Sequence, residues 1–119
     1  MARKTPRIYL EHIQESIAIV ERRVAGKSFD DFLANDDLRD GIERRIEIIS
    51  GASRRLPADM KARYPDIPWP AIAAIGNVLR HEYHAIEPEA LWRIATQDLR
   101  PLSGVVDTLL AEVLRARSK

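Results

Sequence analysis

The sequence predicts an all-α fold: an up-down bundle of four main helices in a single domain that spans residues 1–119. In four long segments, apolar residues recur at steps of three and four, the spacing of one helical face. No segment alternates apolar and polar residues as a half-buried strand does. Prolines, glycines and capping residues separate the segments. A chain of this length buries roughly two-thirds of its unfolded surface, so it needs no metal or disulfide to fold.

The first helix is predicted to begin at Pro6 and to stop at Gly26, a residue typical of the position after a helix. Its apolar seam consists of Leu10, Ile13, Ile17, Val20 and Val24. A seam this narrow favours helix-on-helix packing, either within a bundle or across a dimer.

A short second helix is predicted after Ser28. The hydroxyl of Ser28 and the early Asp30 and Asp31 satisfy exposed N–H groups at a helix start. Its apolar side is expected to consist of Phe29, Phe32 and Leu33.

A third helix is predicted to start at Asn35 or Asp36 and to end at Pro57. Its stripe consists of Leu38, Ile42, Ile46, Ile49 and Leu56. The proline-rich stretch 57–68 predicts a short helical turn followed by extended chain. Trp69 lies between two prolines and is predicted to be an apolar anchor for the next helix.

The segment Ile67–Ile86, IPWPAIAAIGNVLRHEYHAI, predicts a helix with two different faces. Pro70 fits its first turn, where a missing N–H costs nothing. The apolar stripe consists of Ile72, Ile75 and Leu79. The polar side chains of Arg80, His81 and His84 follow Asn77 by three, four and seven residues. The four residues therefore share a polar face on the same helix.

The last helix is predicted to begin at Pro88, after Glu87. Pro101 should kink or interrupt it near Asp98, because proline removes a hydrogen bond and crowds the preceding turn. The late apolar stripe consists of Leu102, Val106, Leu109 and Val113.

Charge and composition limit the possible functions less than the motifs do. Nineteen basic and eighteen acidic residues give a formal charge of +1, so net charge does not indicate nucleic-acid binding. Arg44 and Arg45 either belong to a solvated mixed-charge surface or line a phosphate-binding cleft. No stretch approaches a membrane span, no export signal is evident and cysteine is absent, so a cytoplasmic protein is expected.

Three patches in order resemble one protein family. LRHEY, with His81, Glu82 and Tyr83 preceded by Asn77, resembles the signature of HepT-like proteins in the HEPN superfamily. The segment Ile42–Pro57, IERRIEIISGASRRLP, resembles the second-helix pattern of that family, and IPW before the signature helix also fits. These proteins are small all-helical toxins of bacterial and archaeal toxin–antitoxin pairs.

The resemblance implies metal-independent cleavage of RNA, without a cofactor. His81 would transfer a proton at a ribose hydroxyl, Arg80 would contact the phosphate, and Asn77 would orient the imidazole or bind a phosphate oxygen. Tyr83 would complete the catalytic set. The implied partner is a nucleotidyltransferase antitoxin of the MNT type, which attaches AMP to the hydroxyl of Tyr83, and the implied assembly is a homodimer.

Tyr83 sets a geometric condition on this site. On a continuous helix its side chain would project about 200° from that of His81. The two side chains converge only if the helix ends or distorts near His81, or if another subunit contributes.

The chain departs from the family pattern at two positions. Gly76 occupies the place of the signature arginine, and Gly51 occupies a place where many relatives carry an acid. The alternative function is therefore a catalytically inactive helical module that binds a nucleotide or a partner. Metal binding by His81 and His84 is disfavoured, because their spacing is not HExxH and no third ligand is obvious. A helix-turn-helix DNA reader is disfavoured by the long connection around Pro57.

Overall fold

The computed structural model describes residues 6–117, apart from the side chains of Tyr83 and Arg117, and these residues form an all-α fold, as predicted. The described part of the chain contains no strand. None of its helices combines the length and the apolar character needed to cross a membrane. The helices are α1 (Pro6–Val24), α2 (Phe29–Ala34), α3 (Asp36–Arg54), α4 (Ala58–Ala62), α5 (Trp69–His81), α6 (Pro88–Arg93) and α7 (Leu99–Arg117). A 3₁₀ turn, Tyr83–Ala85, follows α5, and a π-helical turn, Ile94–Asp98, joins α6 to α7.

Side-chain caps explain where the first helices begin and end. Gly26, just after α1, has a φ of 73°, a conformation that glycine adopts without strain. Ser28 Oγ accepts a hydrogen bond from Asp31 N at 3.1 Å, and the Asp31 carboxylate accepts one from Ser28 N at 2.9 Å. That bond from the Ser28 backbone lowers the pKa of Asp31. Asn35 Oδ1 accepts from Leu38 N at 3.0 Å and caps α3, which confirms the predicted start.

The main helices pack in the spatial order α5, α3, α1, α7. The seam of α1 is buried within the subunit: Leu10, Ile13, Ile17 and Val20 are all at most 1% exposed. The predicted stripes of α3 and α7 meet it, with Ile42 and Val106 fully buried. The α1 seam therefore builds the core of one subunit rather than an interface between subunits.

The short α2 closes one end of the bundle through an aromatic cluster. Phe32 is fully buried, and its ring centroid lies 5.3 Å from that of Trp92 on α6 and 6.3 Å from that of Phe29. Leu33 was also expected on the apolar side, and this prediction was wrong, since Leu33 is 41% exposed. A helix of under two turns buries only a narrow stripe, and Phe29 and Phe32 already fill it.

The last helical segment is interrupted as predicted. The π-helical turn Ile94–Asp98 lies just before Pro101, which cannot donate the hydrogen bond that Gln97 O would otherwise accept. Leu99 N points back to both Gln97 O and Ile94 O, and so closes the wider turn. Beyond it, Leu102 and Leu109 return to the core, each 1% exposed.

Candidate functional site

The helix α5 is fixed at its start by the tryptophan predicted to anchor it. Trp69 is 8% exposed, and its Nε1 donates to Tyr64 O at 3.0 Å. Pro70 follows in the first turn, where no donor is missed. Leu79 is buried, whereas Ile72 and Ile75 are only half-buried. The described residues therefore cover the apolar stripe fully only at its last residue.

Three of the predicted site residues lie together on the last turns of α5. Asn77, Arg80 and His81 are all exposed, on the side of the helix away from Leu79. We call these three residues the polar face. Arg80 makes no ion pair with a carboxylate in the part of the chain that the structure describes. A guanidinium beside an imidazole, both open to solvent, is an arrangement that can bind a phosphate and transfer a proton.

The helix ends at His81. Glu82 has φ −143° and ψ 45°, and its N–H donates to Val78 O at 2.7 Å. The backbone at Tyr83 therefore leaves the helical path and enters the 3₁₀ turn, so the helix ends earlier than the predicted Ile67–Ile86 and meets one of the conditions set above for Tyr83. The predicted catalytic and AMP-acceptor role of Tyr83 concerns a side chain outside the described residues.

His84 does not extend the polar face along the helix. It lies in the 3₁₀ turn, after the helix has ended, and it is exposed. The prediction that all four polar residues share one helix was wrong for this residue, because Glu82 departs from helical geometry. Among the described residues, no group of three or more His, Cys, Asp or Glu is placed to hold a metal ion.

Gly76, expected at the place of the signature arginine, is a point of close contact between α3 and α5. It is buried, and a methyl group built on it would lie 2.6 Å from Ser50 Oγ and 2.7 Å from Ser50 Cβ. Ser50 Oγ accepts a hydrogen bond from Gly76 N at 3.1 Å and donates one to Ala73 O at 3.0 Å. Position 76 therefore holds two helices together and has no room for a side chain.

Ser50 was missed by the sequence-based analysis. It belongs to α3 and is fully buried, with both side-chain hydrogen bonds directed to the backbone of α5. The available signal was a serine directly after the apolar pair Ile48 and Ile49, together with a glycine in the facing helix. Nothing in the sequence alone pairs positions 50 and 76.

The charged residues of α3 favour the solvated surface over the phosphate cleft. The side chain of Arg44 is 69% exposed, and its Nη1 lies 3.9 Å from Glu47 Oε1. Burial, and after it the nearby charge of Asp40, raises the pKa of the Glu43 carboxyl. Carboxylates thus accompany the arginines on this helix.

An apolar groove of about 420 Å³ separates the first turns of α5 from the segment 94–102. Its floor is formed by Ile46 and Ile49 of α3, and Ile72 and Ile75 form one wall. Arg93 and Asp98 lie at the groove, and their charged groups are 3.6 Å apart. Because α5 and α7 are not close neighbours, this side of the bundle is open.

The family profile and the known proteins similar to this chain have consistent descriptions. Residues 13–109 match the sequence profile of a family described as "Ribonuclease HepT-like". "Probable ribonuclease HepT" of Thermococcus cleftensis is 34% identical over 101 residues, which cover 85% of this chain and 92% of that one. "Putative RNase TTE0752" of Caldanaerobacter subterraneus subsp. tengcongensis is 34% identical over 107 residues, 90% of this chain and 96% of that one.

One similar protein is longer. "Gamma-glutamylcyclotransferase and putative RNase MJ0434" of Methanocaldococcus jannaschii is 33% identical over 111 residues, which cover 93% of this chain. The match spans 50% of the length of that relative. No solved structure is significantly similar to this chain.

Proposed function

Because this chain belongs to the HepT-like ribonuclease family, we propose that it is an endoribonuclease toxin that cleaves RNA without a metal ion. The observation that carries the proposal is the polar face, where Asn77, Arg80 and His81 are exposed together at the end of α5. An imidazole and a guanidinium supply the two functions that this reaction needs.

The reaction requires a proton transfer and the stabilisation of charge. His81 takes the proton of a ribose 2′-hydroxyl, whose oxygen then attacks the adjacent phosphorus. The bond to the 5′-oxygen breaks, and that oxygen takes a proton from water to leave as a hydroxyl. Arg80 donates hydrogen bonds to the phosphate oxygens, where negative charge increases in the transition state. Asn77 lies one turn before His81 and orients the imidazole or binds a phosphate oxygen. The product strand ends in a 2′,3′-cyclic phosphate.

Cleavage in the presence of a chelator tests this proposal. We expect the purified protein to cut single-stranded RNA in excess EDTA at the rate seen without it, and to leave 2′,3′-cyclic phosphate ends. The corresponding DNA strand lacks the 2′-hydroxyl, so it should remain intact and serves as the control. Loss of cleavage in EDTA, or ends that carry a 3′-hydroxyl, would contradict the mechanism.

A second candidate function is a catalytically inactive binding module. Gly76 favours it, because the guanidinium of the family signature is missing and the contact with Ser50 leaves no space for one. This function predicts that RNA or a nucleotide binds with the same affinity to wild type and to the His81→Ala variant, with no cleavage by either.

We propose Tyr83 as the control point of the toxin. A nucleotidyltransferase antitoxin would join the phenolic oxygen of Tyr83 to the α-phosphorus of ATP, releasing pyrophosphate and the phenolic proton. The backbone supports this role, since residue 83 follows the end of α5 directly. A phosphodiester two residues from His81 would add negative charge and bulk where the RNA phosphate binds.

The open side of the bundle supports a homodimer. Its apolar groove leaves Ile72 and Ile75 half-buried on the side of α5 that does not carry the polar face, and a second copy would cover them.

Native mass spectrometry of the protein co-produced with the nucleotidyltransferase tests both assignments. We expect a dimer whose chains carry added AMP, and we expect the addition to be lost in Tyr83→Phe. Tyr64→Phe is the matched control, because Tyr64 is half-buried in the linker before α5. A monomer would contradict the assembly, and AMP retained on Tyr83→Phe would contradict the acceptor.

A further inference from the structure

The hydroxyl of Ser50 connects α3 to the helix that carries the proposed site. Both side-chain hydrogen bonds between the described residues of α3 and α5 run through this one oxygen, to Ala73 O and from Gly76 N. Ser50 is fully buried, so water does not compete for these bonds. The two backbone groups lie within one turn of α5, directly before Asn77.

The contact depends on the absence of a side chain at position 76. A methyl group there would lie 2.7 Å from Ser50 Cβ, a separation that carbon atoms do not adopt without movement of the helices. Glu47 O, at 3.6 Å from the same point, shows that the α3 backbone is also close. Gly76 therefore lets α5 approach α3 until the Ser50 hydroxyl reaches the helix backbone.

This contact determines where the polar face lies. A helix that packs through apolar side chains alone can slide or rotate by a fraction of a turn, because apolar packing is non-directional. The hydrogen bond that Ser50 Oγ donates to Ala73 O and the one that it accepts from Gly76 N fix the position of α5 along its axis and its rotation about that axis. Asn77 and His81 follow on the same rigid helix, one and five residues beyond Gly76.

We infer that Ser50 is a positioning residue for the proposed ribonuclease site, and that it acts through the Ser50–Gly76 contact to hold His81 and Arg80 in their catalytic geometry. The inference rests on the proposed function for its link to catalysis. Its structural part, the placement of the end of α5, stands independently of any activity. Ser50 touches no substrate in this assignment.

Ser53 provides a matched control for Ser50. It lies one turn later on the same helix, is 1% exposed, and donates its hydrogen bond to Ser50 O of its own helix at 2.7 Å. Ser53→Ala and Ser50→Ala therefore remove the same group from equally buried sites. Only Ser50→Ala removes a bond to α5.

The first measurement is steady-state RNA cleavage by the two variants, well below their melting temperatures. We expect Ser50→Ala to lower kcat by about 10-fold or more with little change in KM, since small displacements of a catalytic group have effects of this order. Ser53→Ala should stay within about 2-fold of wild type, although both variants lower Tm. Equal kcat values for the two variants would overturn the inference.

The second measurement uses the size of the side chains at the contact. We expect Gly76→Ala to lower kcat like Ser50→Ala, because its new methyl group pushes α5 away from α3. A Gly76→Ala variant with the kcat of wild type would also count against a positioning role.

The third measurement needs no activity and separates this inference from the proposed function. We expect amide hydrogen exchange at residues 77–81 to become faster in Ser50→Ala and to remain unchanged in Ser53→Ala. The His81 ring resonances in NMR spectra should shift in the same variant only. If wild type cuts no RNA but these changes occur, the proposed function fails and the positioning role stands. Exchange that is the same in both variants would refute the role.

Discussion

Replacing His81 with alanine is expected to lower the rate of RNA cleavage by about 100- to 10,000-fold, the range over which a general acid–base group contributes. The imidazole is exposed at the last residue of α5, so its removal leaves no cavity and exposes no core residue. The melting temperature should therefore remain close to that of wild type. Cleavage of a fluorescent RNA and thermal unfolding, measured on the same preparation, check both halves of this prediction.

His12→Ala is the matched control for this variant. His12 is also exposed, but it lies on α1, where its ring packs edge-on against Tyr9 with centroids 6.4 Å apart. We expect it to cleave RNA at the wild-type rate. If both histidine variants cleave as fast as wild type, His81 is not the catalytic group and the polar face must be given another role.

Placing an arginine at position 76, where the family signature is expected to have one, is expected to destabilise the fold by roughly 3 kcal/mol or more rather than to raise activity. Even the first carbon of the new side chain would overlap Ser50, and the guanidinium would start from a buried position. The helices α3 and α5 must separate to admit it. The free energy of unfolding, from urea denaturation, measures the cost.

Gly104→Arg tests whether this cost comes from the contact or from the type of substitution. Gly104 is also helical, in α7, and a methyl group built there meets no atom within 4 Å, leaving aside its chain neighbours and the backbone of its own helix. This variant should be as stable as wild type or slightly more so, since glycine is a poor helix former. A Gly76→Arg variant as stable as Gly104→Arg would show that α5 moves away from α3 at little cost.

Local signals explain why most helix boundaries could be predicted from the sequence. Ser28 and Asn35 satisfy backbone donors of their own helices, so their effect is visible in a few neighbouring residues. The same holds for Pro101 and the interruption before it. Leu33 was misplaced because its exposure depends on how much of a short helix the neighbouring elements cover.

The candidate site was predictable only in part. The spacing of Asn77, Arg80 and His81 places them on one helical face, whichever way the helix packs. The helix end at Glu82, which removes His84 from that face, has no comparable marker before Pro88. From the sequence, Gly76 could be interpreted only as the loss of a catalytic residue. Its packing role depends on the distance between α3 and α5, which is a property of the folded chain.

The packing of α1 shows whether its apolar seam lies within a bundle or across a dimer. Its narrow spacing suited either a bundle or a dimer, and the fully buried Leu10 and Ile13 place it inside one subunit. The surface left uncovered lies instead beside α5, where Ile72 and Ile75 are half-buried. A proposed dimer is thereby directed to the apolar groove between α5 and the segment 94–102.

The π-helical turn Ile94–Asp98 also limits how the chain length can vary during evolution. Gaining or losing one residue there would turn α7 by about 100° relative to α6 and would direct Leu102 and Val106 away from the core. The connection after α1, around Gly26, absorbs such changes without rotating a packed helix. Insertions and deletions among functional homologues should therefore accumulate near Gly26 and be excluded from residues 94–98.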